Sequence, residues 1–180
     1  AIVGRPNVGK SSLFNCLARQ RISIVDPTAG VTRDRISTFV ESDDRWFELV
    51  DTGGMGIEDS DQLTREVEDQ ITLAIESATI LIMMVDIRAG VEPLDNLVAE
   101  RLRKQNTPVI LVANKADSPK LDAEAANLRT LGLGPAMCVS ARERRGRDEL
   151  LDAIVKLLPP GSADDRPPEA DMTLAIVGKR

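Results

Sequence analysis

Apolar positions along the chain fall into short continuous runs separated by longer stretches in which they recur every three or four residues. The runs at 1–3, 38–41, 46–50, 79–85, 109–112 and 136–139 read as strands, and the periodic stretches at 10–18, 61–76, 94–103, 123–131 and 147–158 as helices. Strand and helix alternate, so the pattern predicts an α/β fold in three layers. A six-stranded, mostly parallel sheet would carry helices on both faces, because strands buried on both faces are apolar throughout rather than at every second position. Only 38–41 and 46–50, joined by a polar turn at 42–45, are close enough to pair as an antiparallel hairpin, which places one antiparallel strand at the edge.

After Leu158 the pattern stops. Pro159, Pro160 and Gly161 lead into a run rich in Asp, Glu and Pro that has no apolar face to bury, and 160–172 is expected to be an acidic linker. Beyond it, A-I-V-G-K-R at 175–180 repeats A-I-V-G-R-P at 1–6. The organisation expected is therefore one domain over 1–159, a linker, and the start of a second copy over 173–180. Three residues are short for a buried first strand, so that strand is expected to begin before Ala1.

Composition narrows the chemistry. At 42% hydrophobic and 29% charged the chain has the make-up of an ordinary globular domain, with no apolar run long enough to span a bilayer, and a soluble, cytoplasmic protein without a membrane partner is expected. Its net charge of −6 disfavours strong binding to a phosphate backbone. Arg142, Arg144, Arg145 and Arg147 form a local basic cluster that reads as a solvated loop and helix start, with an RNA contact as the other reading. Cys16 and Cys138 have neither metal-ligand nor C-x-x-C spacing and read as buried, reduced thiols. The chain has no His or Tyr, so general acid–base chemistry by those groups is excluded and Lys, Asp, hydroxyls, backbone amides or a metal must serve.

Residues 4–11, G-R-P-N-V-G-K-S, fit G-x-x-x-x-G-K-[ST] between a strand and a helix. In that setting amides of Gly4, Asn7, Val8, Gly9, Lys10, Ser11 and Ser12 surround phosphates at a helix N-terminus. Lys10 would reach the β- and γ-phosphates and the Ser11 hydroxyl would hold Mg²⁺. Asp51 of D-T-G-G at 51–54 ends a strand and would hold the same Mg²⁺, and the Gly54 amide would meet the γ-phosphate. Thr32, in G-V-T-R-D at 30–34, is the candidate third metal residue, engaged only when the γ-phosphate is present. Asn114, Lys115 and Asp117 of N-K-A-D at 114–117 select the base. One carboxylate accepting from N1–H and the N2 amine of guanine makes a charge-assisted pair that adenine cannot reproduce. Ser140 and Ala141, with Arg142 beside them, would supply an amide to guanine O6.

These motifs together resemble the Ras-like superclass of P-loop GTPases and, within it, the bacterial Era-like branch; the restarted phosphate loop after the linker is most similar to the first domain of the tandem-domain Der family. The resemblance covers essentially the whole chain. It implies GTP/GDP as ligand, hydrolysis to GDP, a second GTPase domain and a KH-like domain in cis, and action on the large ribosomal subunit or its rRNA during assembly. A regulatory guanine-nucleotide sensor with incidental hydrolysis, or the GTPase domain of a tRNA-modifying Era-like protein, are the alternatives. The chain departs from the family at Ala29, where proline is frequent, and has Met55 where Ras-like relatives place a water-orienting glutamine. A thioether cannot orient water, so hydrolysis needs another aid. The resemblance supplies one: Asn7, as in potassium-activated Era-like relatives, would hold K⁺ together with carbonyls near Gly30. The plainer reading is that Asn7 suits a tight turn.

Overall fold

The computed structural model describes residues 1–18, 36–52 and 71–160. The expectations for Thr32, Gly54, Met55, the linker beyond residue 160 and the second copy lie outside the described residues. Six strands form one sheet in the order β2-β3-β1-β4-β5-β6, from β1 (Ile2–Val3), β2 (Ile36–Ser42), β3 (Arg45–Asp51), β4 (Leu81–Asp86), β5 (Val109–Asn114) and β6 (Met137–Cys138). All neighbours run parallel except β2 and β3. The expected sheet, with one antiparallel edge strand, is the one observed.

Alternation along β4 shows why the strands are continuously apolar. Leu81, Met83 and Val85 enter one core cluster, while Ile82 and Met84 enter the other. The first is covered by helical residues 71–77 (α2), by α3 (Pro93–Arg103) through Val98, Ala99 and Leu102, and by a 3₁₀ segment, Pro119–Leu131, through Ala125, Leu128 and Leu131. The second is covered by α1 (Lys10–Ala18) through Leu13, Phe14 and Leu17 and by α4 (Arg147–Leu157) through Leu150, Leu151 and Ile154. Both faces are thus buried, and each large aliphatic side chain so placed contributes about 1.5–3 kcal/mol.

Several boundaries differ from those expected, for physical reasons. The hairpin is longer and its turn shorter: β2 and β3 pair from Ile36 opposite Asp51 to Ser42 opposite Arg45, leaving only Asp43 and Asp44 to turn. Both residues take positive φ, 49° and 58°, the backbone that a two-residue turn needs to match the twist of the strands. The helix expected at 123–131 is a longer 3₁₀ segment; its buried residues recur every three positions, the period at which a 3₁₀ helix stacks side chains in one column. It ends at Gly132 in the left-handed conformation. β6 keeps only Met137 and Cys138, and Cys138 is half-buried, not fully buried as expected. Among the described residues no helix is long and apolar enough to cross a membrane.

Candidate functional site

In a parallel sheet a ligand crevice forms beyond the carboxyl ends of the strands, where the connections to the helices begin. The motif residues that the structure describes gather there. A cavity of about 300 Å³ lined by Trp46, Phe47, Ile80 and Leu158 lies at the other end, by the start of β3 and β4, and none of the motif residues lines it.

The phosphate loop connects β1 to α1. Gly4 has φ 147° and its α-carbon faces β4 so closely that a Cβ there would stand 2.6 Å from the Met84 carbonyl oxygen. Gly9 has φ 98°, and a Cβ would stand 2.4 Å from Asn114 Nδ2. Both positions therefore demand glycine, by backbone conformation and by close approach. Asn7 sits at φ 63°, a left-handed conformation that asparagine tolerates well, and its side chain is exposed. That conformation is the one the plainer reading of Asn7, a residue suited to a tight turn, calls for.

Lys10 begins α1 and folds back over the loop: its Nζ donates to the carbonyls of Gly4 at 2.8 Å and Arg5 at 3.0 Å. It is buried, and that burial lowers its pKa; the negative charge of Asp51 opposes the shift and Arg5 adds to it. Asp51, the last residue of β3, is only 2% exposed. Thr52 after it donates from Oγ1 to the Ile2 carbonyl at 2.7 Å, tying this turn to the base of the phosphate loop. Ser11 lies on the exposed first turn of α1. A hydroxyl and a carboxylate are hard oxygen donors of the kind Mg²⁺ takes, so the described part of the expected metal set has fitting chemistry.

The N-K-A-D motif at 114–117 begins on the last residue of β5. Asn114 is buried and bridges two loops: its Nδ2 donates to the Val8 carbonyl at 2.7 Å and its Oδ1 accepts from the Ala141 amide at 3.1 Å. Lys115, at φ 65°, donates from Nζ to the Asn7 carbonyl at 2.9 Å and to Asp86 Oδ2 at 2.6 Å. The first two residues of this motif therefore hold the phosphate loop, each from a different side chain. Asp117 accepts on Oδ1 from Ser140 Oγ at 2.5 Å and on Oδ2 from Arg88. Its side chain is 25% exposed, so it is open to a base. The Ala141 amide is directed at Asn114 in this structure. Arg142 is exposed beside Glu143.

Pattern reading missed several groups that shape this site. Asp86 ends β4 as Asp51 ends β3. Burial raises its pKa, but hydrogen bonds from Lys115 and the Arg88 amide and the charge of Lys115 outweigh it, so the net shift is down and the carboxylate stays ionised. Arg5, inside the phosphate loop, pairs with Asp95 in the first turn of α3 at 3.2 Å. Asp95 is fully buried and also accepts from the Glu92 amide at 3.0 Å, closing a capping box on α3. Its pKa is raised by burial, against the Glu92 amide and Arg5. Of the basic cluster, Arg145 pairs with Asp122 and donates to the Ala116 carbonyl at 2.8 Å, and Arg147 donates to the Cys16 carbonyl at 3.1 Å. These two arginines brace the base loop and α1. A carboxylate closing an apolar run was the available signal for Asp86; the charge pairs between distant loops had none.

Residues 1–115 match the profile of a family described as 50S ribosome-binding GTPase. The chain is 56% identical over 180 residues to GTPase Der of Rhodopirellula baltica and 43% identical over 185 residues to GTPase Der of Myxococcus xanthus. It spans about 40% of the length of each of these relatives. Among solved structures, the G domain of the T. maritima FeoB iron transporter superposes with a TM-score of 0.62 at 23% identity, covering 87% of this chain and 95% of that one. The SelB elongation factor of Methanococcus maripaludis superposes at 0.61 with 19% identity, over 87% and 32% of the two chains. At those identities the structures speak for the fold.

Proposed function

Since the chain belongs to the family of 50S ribosome-binding GTPases, we propose that it binds GTP, hydrolyses it to GDP and phosphate, and acts as a nucleotide-dependent switch in assembly of the large ribosomal subunit. The observation that carries the nucleotide reading is the joining of two motifs more than 100 residues apart, Asn114 to Val8 and Lys115 to Asn7. Through those bonds a base-reading loop and a phosphate-binding loop form one rigid cradle, the arrangement that a nucleoside triphosphate requires. The ribosomal role draws on the description of the family and on the GTPase Der relatives.

Within the cradle Lys10 would exchange its carbonyl partners for phosphate oxygens, a charge-assisted bond stronger than the neutral ones it replaces. Amides of the loop and the start of α1 would face the phosphates, where a helix N-terminus favours negative charge. Ser11, Asp51 and Thr32 would hold Mg²⁺, which neutralises charge on the β- and γ-phosphates when bound. The Gly54 amide would meet the γ-phosphate. Asp117 would read guanine, with the 140–142 loop closing over O6.

Met55 leaves the attacking water without an orienting amide, and the chain has no histidine to serve as base. Asn7 is proposed to compensate by holding K⁺ with its exposed side-chain oxygen. An arginine finger is worth about 10³ to 10⁵ in rate, and an exchangeable ion is expected to give less, on the order of 10-fold. The test is single-turnover hydrolysis of GTP and of ATP in KCl and in NaCl at equal ionic strength, for the wild type and Asn7→Ala. GTP should turn over and ATP should not, and KCl should accelerate the wild type alone. Turnover of ATP at the GTP rate would remove the guanine reading. Equal GTP rates in the two salts would remove only the potassium role, and a salt preference that survived Asn7→Ala would remove Asn7 from it.

A further inference from the structure

The loop that follows β4 carries a charge pointed at the base-reading carboxylate. Asp86 organises this loop: its Oδ1 accepts from the Arg88 amide at 3.0 Å, and its carbonyl accepts from the amides of Ala89 at 3.2 Å and Gly90 at 3.1 Å. The backbone at Arg88 is thereby fixed, while its side chain remains 55% exposed and reaches Asp117 Oδ2. Ser140 holds the other oxygen of the same carboxylate.

The edge of guanine that a carboxylate reads consists of N1–H, C2 and the N2 amine, a planar carbon with nitrogen donors directed to one side. A guanidinium is the same unit carrying a full positive charge. We propose that Arg88 is an internal surrogate for guanine, capping Asp117 until a base displaces it and so setting the affinity of the site for guanine nucleotides. This rests on the reading of Asp117 as the guanine selector.

A base that takes both oxygens competes with the arginine for Oδ2, and where the two donors approach along the same lone pair the arginine leaves. The exposed side chain can swing into water, where its charge is well solvated, while the anchored backbone keeps it close enough to return. A nucleobase without the paired donors of guanine gains too little from Asp117 to displace a charged partner, so the cap strengthens discrimination as it weakens binding. A half-exposed ion pair supports only a modest effect, about two- to fivefold in affinity.

The experiment compares binding of a fluorescent GDP to the wild type and to Arg88→Met, which keeps an extended side chain without the charge, and repeats the substitution in the Asp117→Asn background with fluorescent XDP. Arg88→Met should bind GDP about two- to fivefold more tightly, mainly through faster association. In the Asp117→Asn background, where the carboxylate charge is gone, it should leave XDP affinity unchanged. Unchanged or weaker GDP binding by Arg88→Met overturns the proposal, and so does an equal gain in both backgrounds, which would mark a general effect of the loop. If GDP does not bind the wild type and XDP does not bind Asp117→Asn, the selector reading itself fails and the cap fails with it. Normal binding of both, with a neutral Arg88→Met, removes the cap alone.

Discussion

Asp117→Asn is expected to exchange guanine for xanthine preference, shifting the ratio of XDP to GDP affinity by about 10³-fold, roughly 4 kcal/mol. The physical cause lies in the direction of the hydrogen bonds. A carboxylate accepts from N1–H and the N2 amine of guanine, whereas an amide offers one acceptor and one donor, and xanthine carries an oxygen at position 2 that needs that donor. Two features of the site make the exchange feasible without rebuilding it. Ser140 Oγ can bond an amide as well as a carboxylate, and the side chain is partly exposed, so the substitution leaves no buried charge behind. That exposure is why the expected factor falls below the 10⁴ to 10⁵ reached by sealed polar sites. Competition between the two diphosphates for a fluorescent nucleotide measures the ratio. A variant that keeps wild-type GDP affinity and gains none for XDP would show that Asp117 does not touch the base.

Asn114→Ala should weaken GDP binding by about 10²-fold, some 2.7 kcal/mol, with the lost bonds between the two loops as a main cause. Truncation strands two backbone groups, the Val8 carbonyl and the Ala141 amide, whose shared partner is this one side chain. A buried polar group left unpaired costs about 1–3 kcal/mol, and two such groups at the heart of the cradle exceed what the loop can recover by small shifts. Gly9 sharpens the effect, since its α-carbon packs directly on the lost amide and the loop would settle into the space. Asn114→Asp is the informative companion. It keeps the acceptor for Ala141 but sets a buried carboxylate oxygen against the Val8 carbonyl in place of the donor, so it should bind GDP no better than the alanine variant in a titration. Equal affinity in all three proteins would leave Asn114 with no role in joining the loops.

The sheet and both its covers were legible because β4 and β5 are apolar at every position but the last, a pattern that a strand buried on two sides requires. Where the reading stopped short, it stopped at the last residue of a strand. The runs 79–85 and 109–112 ended before Asp86 and Asn114, yet the two residues stand opposite each other in the ladder as the final pair of β4 and β5. An apolar run ends at the first polar side chain, whereas the backbones of these two residues remain in the sheet. The left-handed backbone of Lys115 and Asn7 likewise left no trace in composition. Arg88, and the pairing of Arg5 with Asp95, could not be read at all. A charge in a loop has no period, and its partner may be any opposite charge that the fold brings near; only the assembled topology places Asp95, 90 positions away, beside the phosphate loop. Spacing singles out the residues expected to meet a ligand, while the residues that hold those in place depend on distances through space.

The alternation of β4 also gives the molecule a chemical record of its own opening. Met83 and Met84 are adjacent in sequence and fully enclosed, yet their thioethers lie in different layers, one under α3 and the 3₁₀ segment and the other under α1 and α4. Peroxide converts a thioether to a sulfoxide only when it can reach it, and the product is too polar to return to an apolar layer. Oxidation of Met83 therefore times the lifting of one layer and oxidation of Met84 the lifting of the other, with half-buried Met137 as the fast reference. Two neighbouring residues on one tryptic peptide would report, by mass, whether the faces of the sheet come apart together or one at a time.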